Sequence, residues 1–99
     1  MAVAQLTVLP FGTGASISKY VAGAVRIVAE SGLKYELTAM TTVVEGDVDS
    51  ILALMKKVHE SAFDGGAVRV LTSLSIDERR DKELTIESKK RAVKEKLQG

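Results

Sequence analysis

Few residues in this chain are equipped for chemistry, and most of them fall in one stretch, Ser31 to Asp47, reading SGLKYELTAMTTVVEGD. Glu36 and Glu45 stand on what read as neighbouring strands and point to one side. Paired carboxylates can exchange protons or hold a cation; on a sheet face they are more often simply solvated. Glu45 sits among Val43, Val44 and Gly46, a partly covered setting that suits a cationic or amino-bearing ligand. A second candidate is the loop Gly12 to Ser16, between a strand and a helix, whose amides could hold an anion. No Gly-Lys-Ser/Thr follows it, and it lacks a full dinucleotide fingerprint. A tight turn ending in Ser16 as a helix cap is the simpler use.

Other chemistries are excluded by composition. The chain has no Cys, so it has no disulfide, no thiolate nucleophile and no zinc-finger site. Its one His, His59, lies beside the apolar stripe of a predicted helix with no nucleophile motif nearby. Asp77, Arg79, Arg80 and Asp81 read as ion pairs anchoring a turn. The four aromatics, Phe11, Tyr20, Tyr35 and Phe63, form no stacking string of the kind RNA-binding sheets use. The net charge is +1; residues 1–77 carry six Lys/Arg against eight Asp/Glu, and residues 78–99 carry eight against five. That basic tail reads as a solvated helix face. No metal site, cofactor, catalytic residue, nucleic acid or membrane is expected.

The elements that must position these residues follow from hydrophobic period. Ala2–Phe11 alternates as a strand, with Ala4, Leu6 and Val8 on one side. Ile17, Tyr20, Val21, Ala24, Val25 and Val28 recur at helical spacing, and Gly32 suits the position just past the helix end. Tyr35 to Met40 and Thr42 to Glu45 form a hairpin, with Tyr35 toward the core. Asp47 caps a helix whose stripe is Val48, Ile51, Leu52, Met55, Val58 and Ala62, stopped by Asp64-Gly65-Gly66. Ala67–Ile76 is a fourth strand, and Glu83–Leu97 a charged helix with a thin apolar stripe. The order β-α-β-β-α-β-α predicts one α+β domain over residues 1–99. It is ferredoxin-like βαββαβ, with a four-stranded antiparallel sheet, two helices on one face and an extra C-terminal helix. The other sheet face mixes Met40, Val43 and Leu71 with Thr7, Glu36, Glu45 and Arg69, which predicts that another subunit covers it in part. The chain opens directly into a strand with no basic leader, and no apolar run nears the ~20 residues of a membrane span, so the expected location is cytoplasmic.

Several segments together resemble the small thiamine-binding protein family, long catalogued as uncharacterised. They are Gly14-Ala15-Ser16-Ile17-Ser18-Lys19-Tyr20-Val21, Ser31-Gly32-Leu33-Lys34-Tyr35-Glu36-Leu37-Thr38-Ala39-Met40, Thr42-Val43-Val44-Glu45-Gly46, Arg69-Val70-Leu71-Thr72 and Ile76-Asp77-Glu78-Arg79-Arg80-Asp81. The family has Pro before the Met of the hairpin; Ala39 stands there in this chain and loosens that turn. The resemblance implies a ferredoxin-like fold, assembly into dimers and tetramers, no enzymatic activity, and binding of thiamine or its hydroxymethylpyrimidine part. With sheet-face geometry it points to Ser16, Thr38, Met40, Thr42 and Glu45 as the ligand-binding residues. A carboxylate would meet the thiazolium or the exocyclic amine, and Thr and Met would line the ring slot. The alternative is an oligomeric regulatory domain that senses another small molecule, such as an amino acid.

Overall fold

A computed structural model describes residues 1–12 and 17–99. Its elements are β1 (Ala2–Phe11), α1 (Ser18–Glu30), β2 (Lys34–Leu37), β3 (Thr42–Gly46), α2 (Val48–Asp64), β4 (Arg69–Glu78) and α3 (Ile86–Gln98). The four strands make one antiparallel sheet in the order β2-β3-β1-β4. This is the expected ferredoxin-like α+β arrangement. Alternation along β1 sends Ala2, Ala4, Leu6 and Val8 to the face covered by α1 and α2. There they meet Val44 of β3, Ala24 and Val28 of α1, and Ile51, Leu54, Met55, Val58 and Ala62 of α2. Ile51, Val28, Val44 and Val58 are fully buried, each burial contributing on the order of 1.5–3 kcal/mol.

Local chemistry sets the helix ends. The Asp47 carboxylate accepts the Ser50 N–H at 3.0 Å and caps α2 as predicted. Gly32, just past the end of α1, has φ +81°, a left-handed conformation that costs glycine little. The cap residue at the start of α1 is Ile17, which makes no side-chain capping bond; Ser16, the expected cap, lies outside the described residues.

Four expectations are corrected. Leu52, assigned to the α2 stripe, is 48% exposed, and Leu54 takes its place at 4%. Tyr35 is exposed, on a four-residue strand at the edge of the sheet. Val68 precedes the strand, which runs from Arg69 to Glu78, and lies open to solvent. The last helix starts at Ile86, three residues later than Glu83, and its first turn lies on the sheet's second face. There Leu84 and Ile86 pack on Val3 and Val43. Cover expected from another subunit thus comes, over this end of the face, from the chain itself. Leu9 and Leu71 at the other end stay exposed.

Candidate functional site

Strand β3 pairs with β1 only from Ala2↔Gly46 to Leu6↔Thr42. Beyond Leu6, β1 runs on to Phe11 with β4 on one side and no β3 partner on the other. The β2–β3 turn and the start of α1 flank the vacated side. Between them lies a cavity of about 360 Å³, lined by Leu6, Val8, Ile17, Val21, Leu37 and the whole segment Thr38–Thr42.

The turn is built by one side chain. Thr38 Oγ1 accepts the N–H groups of Met40 (3.2 Å) and Thr41 (3.0 Å) and donates to the Thr41 carbonyl at 2.8 Å. The Thr38 N–H closes the turn on the same carbonyl at 2.9 Å. Hydroxyl-to-backbone bonding of this kind replaces a strand ladder where the chain reverses. Thr41 Oγ1 then reaches Gln5 Oε1 at 3.4 Å and ties the turn back to β1. Thr42 is buried, whereas Met40 projects with 84% of its surface exposed. A flexible thioether held in the open at a cavity's edge can fold over a flat ring. No charged side chain lines this cavity among the described residues.

The structure therefore brings together three of the five predicted site residues, Thr38, Met40 and Thr42. Ser16 lies outside the described residues, though its neighbour Ile17 lines the cavity. Glu45 is placed elsewhere, at the far end of β3. It is 91% buried beneath α3, and its Oε1 accepts the Ile86 N–H at 3.1 Å. A carboxylate at the first turn of a helix satisfies an orphan donor and complements the dipole. Sequence reasoning missed Leu37, Thr41 and the α1 residues Ile17 and Val21 as lining. Leu37 carried a signal, being a large apolar residue at the end of a short strand.

Glu45 belongs to a second constellation. Thr85 caps α3 by accepting the Ser88 N–H at 3.0 Å, while Ser88 Oγ accepts the Thr85 N–H at 2.9 Å. Lys89 Nζ meets Asp77 Oδ2 at 2.6 Å and Lys90 Nζ meets Glu36 Oε1 at 3.5 Å. These two ion pairs rim a cavity of about 450 Å³ whose walls include Val3, Val43 and Ile86. Glu36, first read as one of a carboxylate pair, is thus neutralised by a helix lysine. After β4, Arg79 holds Asp81 in a two-pronged ion pair, and its hydrogen bond pulls the Asp81 carboxyl down to about 2.

A family model described as thiamine-binding protein matches residues 4–94. A Methanocaldococcus jannaschii protein of an uncharacterised family is 47% identical over 93 residues, covering 94% of this chain and 92% of its own. A Bacillus subtilis protein of the same uncharacterised family is 43% identical over 103 residues, 99% of each chain. The crystal structure of the Methanocaldococcus protein, described as hypothetical, superposes with a TM-score of 0.89, covering 95% of this chain and 96% of that one.

Proposed function

The chain belongs to the thiamine-binding protein family, and on that premise we propose that it binds thiamine, or its hydroxymethylpyrimidine part, without catalysing a reaction. The protein works as a cytoplasmic homo-oligomer, a dimer of dimers. Thr38, Met40 and Thr42 contact the ligand, and Ser16 joins them from the loop before α1. The observation that carries this reading is the cavity at the β2–β3 turn, which gathers three residues expected to bind and has room for a small ring system. Its described lining is apolar side chains and threonines with no formal charge. That favours the neutral aminopyrimidine ring inside, with the cationic thiazolium toward solvent, since an unpaired buried charge is costly. It disfavours a zwitterionic amino acid for the same reason.

The test is a thermal unfolding series with thiamine, its phosphates, hydroxymethylpyrimidine and amino acids. Ligand at 100 times its Kd adds about 2.7 kcal/mol to stability. A shift with thiamine or the pyrimidine, lost in Thr38→Ala, supports the reading. No shift at millimolar concentration, or a shift with amino acids alone, contradicts it.

A further inference from the structure

The cavity of about 450 Å³ beneath α3 has no part in the thiamine reading. Its floor includes a row of residues that stand side by side across all four strands on the sheet's second face, Glu36↔Val43↔Gln5↔Ser75. Its roof is α3, where Ile86 and Lys90, four residues apart, share one helix face. Ile86 packs with Val3 and Val43, so the apolar part of the roof stands over the apolar part of the floor. Lys90 reaches the carboxylate at the β2 end of the row, Glu36.

That end is loosely closed. Lys90 Nζ is 3.5 Å from Glu36 Oε1 and 4.0 Å from Glu87 Oε1, both beyond the ordinary hydrogen-bond length of about 2.7–3.2 Å. At the other end, Lys89 holds Asp77 firmly at 2.6 Å. Three strand spacings put β2 and β4 roughly 14 Å apart, so a small ligand can engage the loose pair and leave the firm one to hold α3. Lys90 and Glu36 are each 45% exposed. They keep donors and acceptors unspent beside an apolar recess.

We propose that this cavity is a second small-molecule site and takes a free α-amino acid with an apolar side chain. The α-carboxylate meets Lys90, the α-ammonium meets Glu36, and the side chain lies over Val43 and Val3 against Ile86. The charge pattern selects the zwitterion. An anion alone would reach Lys90 only beside Glu36, and a cation alone would reach Glu36 only beside Lys90. A ligand with both charges gives each a partner and leaves the site neutral. Its charged end stays at the wet rim, where desolvation is slight, and its side chain supplies the apolar burial that drives binding. The cavity at the Thr38 turn has no charged pair among its described lining, so the two sites sort ligands by charge.

The test is calorimetry and amide chemical shifts on the full-length protein, without thiamine, using leucine, N-acetylleucine, leucinamide and glycine. Leucine at millimolar concentration is expected to shift Val43, Ile86 and Lys90 saturably and to leave Thr38–Thr42 unmoved. N-acetylleucine lacks the ammonium and leucinamide the carboxylate; each should bind at least about tenfold more weakly. Glycine, with no side chain to bury, should not bind measurably. Lys90→Gln should lose at least about tenfold in leucine affinity, whereas Lys96→Gln, further along α3 and outside the cavity, should bind as the wild type. Both should keep the wild-type circular dichroism. No saturable shift with leucine, equal affinity for either blocked analogue or for glycine, unchanged binding in Lys90→Gln, or shifts centred on Thr38–Thr42 would overturn the proposal. Each of these results is independent of whether thiamine binds, so failure here is distinguishable from failure of the thiamine reading.

Discussion

At its Glu45 end the β2–β3 hairpin is sealed. Thr42 to Gly46 are largely buried, and the carboxylate is committed to the first turn of α3. At its Thr38 end the same hairpin is open, with Leu37 and Met40 exposed and β1 lacking a β3 partner beyond Leu6. Both ends carry polar groups with good acceptors, and the difference lies in what those groups have left to offer. Glu45 has spent an oxygen on the protein's own backbone inside a covered site, where an unmet donor would be costly. Thr38 holds its turn together at the surface, where neighbouring atoms can still meet a small molecule. The covered carboxylate is thus engaged by the fold, whereas the threonine turn lies beside a gap in the ladder, where the proposed site is.

The largest effect that separates the two ends is expected from Glu45→Ala. It orphans the Ile86 N–H beneath Leu84 and Ile86, which costs about 1–3 kcal/mol. Hydrogen exchange should show α3 opening first while the ligand response at the other end persists. Glu45→Gln keeps an acceptor, so folding and ligand affinity should both stay near wild type in calorimetry. A tenfold loss of thiamine affinity in that variant would return Glu45 to the binding site.

Thr38→Ala comes next. It removes three hydrogen bonds from the turn, each worth on the order of 1 kcal/mol but solvent-exposed and partly replaced by water. The expected outcome is a small loss of stability with a tenfold or greater loss of ligand affinity, the reverse of the Glu45→Ala pattern. Lys89→Ala should be smaller still. Its pair with Asp77 is about half exposed on both sides, so the loss should be roughly 0.2–1 kcal/mol and should shrink in high salt. Chemical denaturation at two salt concentrations measures it.

Acid should act weakly, through two carboxyls that lie outside the hairpin strands. The Ser50 hydroxyl, then its N–H, hold Asp47 below the usual carboxyl range. Arg79 holds Asp81 at about 2. Both carboxyls bind protons less readily folded than unfolded, so their contributions are complete above the ordinary value near 3.8 and fade as pH falls toward about 2. Melting temperature should decline across that window, less steeply in Asp81→Asn.

Much of this was legible in the residues, and the misses have physical causes. Ala2–Phe11, the Asp47 cap and the Asp64-Gly65-Gly66 stop depend on nearby residues, and periodicity and capping rules find them. The choice between Leu52 and Leu54 does not, because both lie within one turn of Ile51 and only the helix's placement on the sheet decides which is buried. The Glu45–Ile86 bond spans 41 residues, and no local pattern announces it. Thr85 with Ser88 three positions on is a capping pair in which Ser stands where Glu or Gln is usual, a weaker local pattern. Thr38, Met40 and Thr42, expected at the site from residue type and family resemblance together, line one cavity. Their partners on α1, Ile17 and Val21, carry no such signal, since nothing in a helix's own period tells which residue of its apolar stripe faces a turn about twenty positions away.

The central claim, that ligand enters at the Thr38 end, is tested most directly by amide chemical shifts during a titration with hydroxymethylpyrimidine and with thiamine. The account predicts saturable shifts confined to Leu37–Thr42, to β1 beyond Leu6 and to the first turns of α1, with Glu45, Ile86 and Lys89 unmoved. Shifts centred on Val43, Ile86 and Lys89, or none at millimolar ligand, would contradict it.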